Sequence, residues 1–244
     1  MIMTEVIILE IMNLKSSIKK AIEWLDGKTI FLDLPMDVES YIEEIGQGAN
    51  YQGVIQYMED VGLIKVEEKR KYQAYEPIFE YISINRPIVN CYEDPTHHHL
   101  SMDTADEIFI LTAKGRLGWI DLGRWKMILE DEIKLGIDYL EVEGEFICSR
   151  VKGDSVCIGS SDLKDYLKKK SLDARSVEID RSYLPLDILR EKIKEEILGG
   201  VNVSDKMMKR FVDYQLRFTD IIIENGFEDA YRIWKKKYLE IERC

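Results

Sequence analysis

The chain has 244 residues, is 45% hydrophobic and 33% charged, and carries a formal net charge of −12. That length buries the core of one large or two to three small domains. The acidic balance excludes broad, nonspecific coating of nucleic acid, which needs a basic surface against the phosphates.

No stretch approaches the roughly 18 uninterrupted apolar residues of a membrane helix. The opening MIMTEVIILEIM lacks the basic start and small-residue cleavage site of a secretory leader. Cytoplasmic residence and no membrane partner are therefore expected. Cys91, Cys148, Cys157 and Cys244 show neither the close pairing of a zinc site nor the density of a secreted scaffold, so reduced thiols are expected.

In chain order, Ile7, Ile11, Leu14, Ile18, Ala21 and Leu25 recur at gaps of four and three. That spacing suits one helix over residues 4–26 with a seam for a homodimer. It equally suits a strand over residues 5–12, rich in β-branched residues, followed by a helix capped at Asn13. Residues 29–32 are expected to form a short strand.

Residues 37–75 carry the most specific pattern. Val38, Ile42 and Ile45, then Val54, Tyr57, Met58 and Val61, place one apolar stripe on each of two helices. Gly46-Gln47-Gly48 supplies the turn, Asn50 can cap the second helix, and Gly62 ends it. Leu63, Ile64 and Val66 then read as a strand, Lys69, Arg70 and Lys71 as a basic tip, and residues 72–75 as the returning strand.

This arrangement, carried by VIQYMEDVGLIKVEEKRKYQAY, resembles the winged helix-turn-helix DNA-binding domains of bacterial and archaeal regulators. ILTAKGR at 110–116 is a further echo, some thirty residues downstream. The resemblance implies that the second helix enters the major groove of double-stranded DNA. There Asn50, Gln52 and Gln56 would read adenine edges, with Tyr51 stacking or meeting a phosphate. Lys69, Arg70 and Lys71, with Lys15, Lys19 and Lys20, would hold phosphates. The plainer account keeps Asn50 as a cap and the other residues as a solvated or protein-contact face.

Beyond it, prolines at 77, 87 and 95 mark a connector over residues 77–104. Residues 107–112 read as a buried strand and 121–134 as a helix with Trp125, Ile128 and Leu129 inward. Leu140, Val142, Phe146 and Cys148 alternate with Glu141, Glu143 and Glu145 as in a strand wet on one face, with residues 156–158 as its hairpin partner. His97, His98 and His99 are the only histidines. In an extended loop His97 and His99 would share a side and could share a metal ion, although adjacent ligands strain a closed tetrahedral site and an incidental loop fits the same letters. Gly159-Ser160-Ser161-Asp162 opens a helix at a place that could hold a phosphate, or it is an ordinary N-cap.

The last third is helical. Leu189, Ile193 and Ile197 align after Pro185, and Met207, Phe211, Tyr214, Phe218 and Ile221 align after Ser204. Ala230, Tyr231, Trp234, Tyr238 and Ile241 make the final stripe. ENGFEDAYRIWKKKY resembles, more faintly, the late helices of biotin protein ligases, without that family's adenylate loop. No phosphate loop, dinucleotide fingerprint, nucleophile elbow or zinc protease motif is present, so no catalytic residue and no cofactor is expected.

The expected protein is α+β, with a winged helix at 1–76, a connector at 77–104, a small mixed α/β region at 105–180 and a helical region at 181–244. Its expected work is transcriptional regulation on DNA, with the C-terminal region assembling a dimer or sensing an effector. An adaptor that binds protein through the same fold is the alternative, and a degenerate ligase-like chain is disfavoured.

Overall fold

The computed structural model describes residues 5–241 and shows a mixed α/β protein built on a five-stranded parallel sheet. Thr4 and Cys244, which entered the expectations above, lie outside the described residues. The strands are β1 (Glu5–Glu10), β2 (Thr29–Pro35), β3 (Val89–Glu93), β4 (Ser155–Ile158) and β5 (Asp173–Glu178), in spatial order β3-β2-β4-β1-β5. Segments such as VIIL and SVCI are apolar without alternation because a parallel sheet is covered on both faces.

The pleat sends alternate residues to opposite layers. Ile7, Leu9, Ile30, Leu32 and Val156 face α1 (Lys15–Ala21), α2 (Glu39–Gly46), α3 (Tyr51–Asp60), α4 (Lys69–Ala74) and α5 (Glu76–Asn85). Val6, Ile8, Phe31 and Cys157 face the other layer, formed by α8 (Ser161–Lys169) and the end of α7 (Leu122–Arg150) through Leu163, Leu167 and Ile147.

The chain packs as two compact units, each discontinuous in sequence, where four consecutive segments were expected. The first holds the sheet, runs to His98 and resumes over Asp138–Arg181. The second takes His99–Ile137 and the chain from Ser182 on. It is helical: α9 (Pro185–Ile197), α10 (Asp205–Asn225) and α11 (Phe227–Ile241) close on a core that includes Trp125, Leu189, Phe211 and Trp234. Of the expected stripes, Leu189, Ile193, Phe211, Phe218, Ala230, Tyr231, Trp234 and Tyr238 are buried, and Ser204 caps α10 by accepting the Met207 N–H at 3.3 Å. Among the described residues, no helix is long and apolar enough to cross a membrane.

Several local expectations are corrected. The first apolar segment is β1 followed by α1, and its stripe is buried against the first unit's other elements, so it is no dimer seam. Residues 63–75 form no hairpin: a short 3-10 turn at Val66–Glu68 runs into α4. The inward set Ile64, Glu68, Tyr72 and Tyr75, at gaps of four, four and three, is helical. The 77–104 stretch is α5, β3 and the start of α6 (Pro95–Arg116), with Pro77 and Pro95 opening helices where proline needs no N–H partner. Residues 107–112 lie in α6 and 140–148 in α7, while 156–158 is β4, parallel to β1 and β2.

Two glycines of α7 make a matched pair. A Cβ on Gly144 would stand 2.3 Å from the Tyr166 ring, whereas one on Gly136 meets nothing within 4 Å. Gly144→Ala is expected to destabilise by about 1–3 kcal/mol through overpacking, and Gly136→Ala to stabilise by up to about 1 kcal/mol through helix propensity. Urea unfolding of the two variants checks the opposite signs.

Candidate functional site

Parallel strands all end on one edge, and open α/β sheets take their ligands in the crevice beyond those ends. In this chain that edge collects ionisable side chains from β2, β3, α4, α6 and α7, all within the first unit.

The register of β2 against β3 slips between Leu32 and Pro35, so Asp33 sits in a bulge with its carbonyl off the ladder. Lys71 of α4 donates to that carbonyl and lies 3.7 Å from the Asp33 carboxylate and 3.6 Å from Glu93 at the end of β3. The Tyr75 hydroxyl, one helical turn after Lys71, donates to Asp33 Oδ1. Burial raises the Asp33 carboxyl above its ordinary range, and Lys71 and Tyr75 only partly oppose that. Burial works against the Lys71 ammonium, but Asp33, Glu93 and Glu68 outweigh it and raise its pKa.

Immediately after β3, the Asp94 carboxylate accepts the N–H groups of Thr96 at 2.8 Å and His97 at 3.3 Å, capping α6 ahead of Pro95. The first helical turn thereby brings His97 and His98 to the strand ends.

His98 is closed on both sides. Its Nε2 lies 2.6 Å from Glu68 and its Nδ1 3.1 Å from Glu93. Two carboxylate acceptors require a proton on each nitrogen. Burial opposes that charge, but the paired carboxylates prevail and raise the pKa to about 9. Burial likewise pushes the Glu68 and Glu93 carboxyls up, yet His98, Lys71 and, for Glu68, the Lys65 N–H at 2.7 Å hold both below the ordinary value.

His97 is closed on one side only. Its Nδ1 lies 2.6 Å from Glu143 Oε1 of α7, an oxygen that also accepts the Asp94 N–H at 3.3 Å. The imidazole stacks on Tyr139 with centroids 4.9 Å apart and planes 7° apart. Nε2 makes no hydrogen bond among the described residues. Burial lowers the His97 pKa, but the Glu143 bond and surrounding carboxylates raise it above 6.5 overall. A carboxylate that fixes one imidazole nitrogen and leaves the other open is the arrangement of an oriented acid–base group.

The residues expected to touch DNA are scattered. Asn50 caps α3, accepting the Gly53 N–H at 3.1 Å. The Tyr51 hydroxyl donates to Glu76, which is also paired with Lys15. Gln52 and Gln56 are exposed, Gln56 bonding Asp60 at 3.0 Å. Lys69 pairs with Glu59 at 2.9 Å, Arg70 is exposed, and Lys71 belongs to the cluster above. The extended loop in which His97 and His99 could have shared an ion is a helix instead. In a helix these positions project to different sides, His99 is exposed, and no group of three or more candidate ligands is assembled among the described residues.

Asp33, Glu68, Tyr75, Glu93 and Glu143 were not anticipated. The available signal was an apolar strand ending in Glu93-Asp94-Pro95, acids and a helix-starting proline at the carboxyl end of a buried strand. Comparison with known families, curated proteins and solved structures finds no match, so the site rests on its own geometry.

His98 generates a pH prediction. Its folded pKa of about 9 exceeds the ordinary 6.5, so the stability it contributes is complete below pH 6.5 and is lost as pH rises through 9. Unfolding free energies measured across that window should fall on the order of 3 kcal/mol more steeply in the parent chain than in His98→Gln. Parallel pH profiles for the two would show that His98 is not held charged.

Proposed function

We propose that this chain binds a small polar ligand at the carboxyl ends of β2 and β3 and that His97 transfers a proton to or from it. The observation that carries the reading is the 2.6 Å bond from His97 Nδ1 to the buried Glu143, with Nε2 left open at the strand ends. His98, in contrast, is closed on both nitrogens. Below its raised pKa His97 is the acid, and above it the base. The four acids Asp33, Glu68, Glu93 and Glu143 outnumber the bases Lys71, His97 and His98 that pair with them, which disfavours an anion and favours an amine-bearing or neutral, hydroxyl-rich ligand such as a sugar or nucleoside.

A second reading, contact with duplex DNA through α2 and α3, draws on the exposed amides of Gln52 and Gln56 and on the Asn50-capped turn between the helices. It has fewer cations to hold phosphate, because Lys69 and Lys71 are already engaged by carboxylates. Binding to mixed-sequence duplex that strengthens steeply at low salt supports it, and no binding at low salt retires it.

With three histidines in the chain, imidazole NMR resolves the main reading. Titration with amines, nucleosides or sugars is expected to move the His97 ring resonances, while inorganic phosphate leaves them in place. Glu143→Gln should lower the His97 pKa and weaken the same ligand about tenfold or more. Unchanged His97 resonances with all three ligand classes would remove the proposal.

A further inference from the structure

Within the second unit, α6 turns one face inward through Ile108, Leu111, Thr112 and Gly115. Its other face is exposed and carries large apolar residues among charged ones. Phe109 is 74% exposed, Ile110 49% and Leu117, in the turn just past the helix, 79%. Along this face Asp103, Asp106, Ile110, Ala113 and Leu117 follow gaps of three and four, the spacing of a helix–helix seam. A solvated face has no need of that spacing.

The charges beside the seam are unevenly used. Glu107 pairs with Arg124 and Arg116 with Asp220, but Asp103, Asp106 and Lys114 have no ion-pair partner among the described residues. The unpaired acids lie before Ile110 and the unpaired base after it.

We infer that this face binds a second copy of this chain, with the two α6 helices antiparallel about a twofold axis at Ile110. Asp106 and Lys114 stand four residues to either side of that axis, so each meets the other across the interface, twice over, as an isologous contact requires. Antiparallel approach sets the acidic half of one helix against the basic half of its partner, whereas parallel approach sets like against like. An anionic membrane or an acidic peptide would be drawn to Lys114 and repelled by Asp103 and Asp106. Ile110 and Phe109 then cover their counterparts, and the small Ala113 lets the backbones approach.

Sedimentation equilibrium tests this by charge exchange. The parent chain is expected at twice its 28.6 kDa mass at low-micromolar concentration. Asp106→Lys alone and Lys114→Glu alone should each weaken association about tenfold or more, since each sets like charges together at both symmetric pairs. Mixing the two variants, or combining both substitutions in one chain, should restore the dimer. These surface changes are expected to leave thermal unfolding of the chain in place, which separates lost association from lost fold. A monomer at every concentration, or association indifferent to the exchanges, would overturn the proposal. So would binding to anionic vesicles by the parent chain that each single substitution leaves unchanged.

Discussion

A carboxylate removed from water must be answered by a cation or by N–H donors, and the carboxyl end of this sheet removes several at once. Asp33, Glu68, Glu93 and Glu143 arrive there from β2, the turn before α4, β3 and α7. What answers them is Lys71, the doubly bonded ring of His98 and the Nδ1 bond from His97 to Glu143. The requirement fixes local structure as well as charge. α4 must turn Lys71 toward the bulge in β2, and α6 must begin where Asp94 can cap it, so that two consecutive histidines leave the helix toward different acids. Electroneutrality therefore links elements far apart in sequence more tightly than apolar contact would, because an apolar residue tolerates many neighbours and a buried carboxylate few.

The two histidines answer the same electrostatic demand with unequal results. His98 spends both nitrogens on Glu68 and Glu93 and ties the α4 region to the end of β3. His97 spends one on Glu143, is braced by the Tyr139 ring, and keeps the other at the strand ends. A proton can leave His98 only by stranding Glu68 or Glu93. A proton on Nε2 of His97 can leave without breaking the bond that orients the ring. That difference separates a structural cation from a reactive one.

Much of the helical architecture was legible because its signals are local. The stripes of α9, α10 and α11, the Ser204 cap and the Trp125-Ile128-Leu129 face each lie within a few turns. The turn between α2 and α3, with its Asn50 cap, was legible for the same reason. The sheet was harder to read. β2 and β3 are separated by four helices, and parallel pairing leaves no hairpin to betray it. The candidate site failed on a single point of period. Read every second residue, the segment from Leu140 puts Glu143 in water; read as a helix, Leu140, Glu143, Gly144 and Ile147 share the inward side. Alternation with apolar neighbours put Glu143 on the wet face of a strand, and the group that holds it inside is His97, forty-six residues away. Lys71 was read as part of a basic tip for phosphate and Glu68 was not singled out, because their partners Asp33, Glu93 and His98 are likewise distant in sequence.

The same accounting of polar groups bears on where the chain can self-associate. An open sheet offers its edges first, because unpaired N–H and C=O groups accept another strand at little cost. Here the edge at β3 is closed: Glu39 accepts the Cys91 N–H at 2.9 Å and is itself held by Arg150 at 2.6 Å, with the same guanidinium bonding Asn90 at 3.1 Å. The other edge, β5, is polar along much of its length, and Arg175 there pairs with Glu5 of β1. A second strand docking at β3 would have to displace the Glu39 carboxylate from both partners, and one docking at β5 would bury charged side chains. Neither obstacle exists on the outer face of α6, where apolar surface is already exposed and Asp103, Asp106 and Lys114 lack ion-pair partners among the described residues. Of these three surfaces, the α6 face is the one where self-association would displace the fewest polar partners.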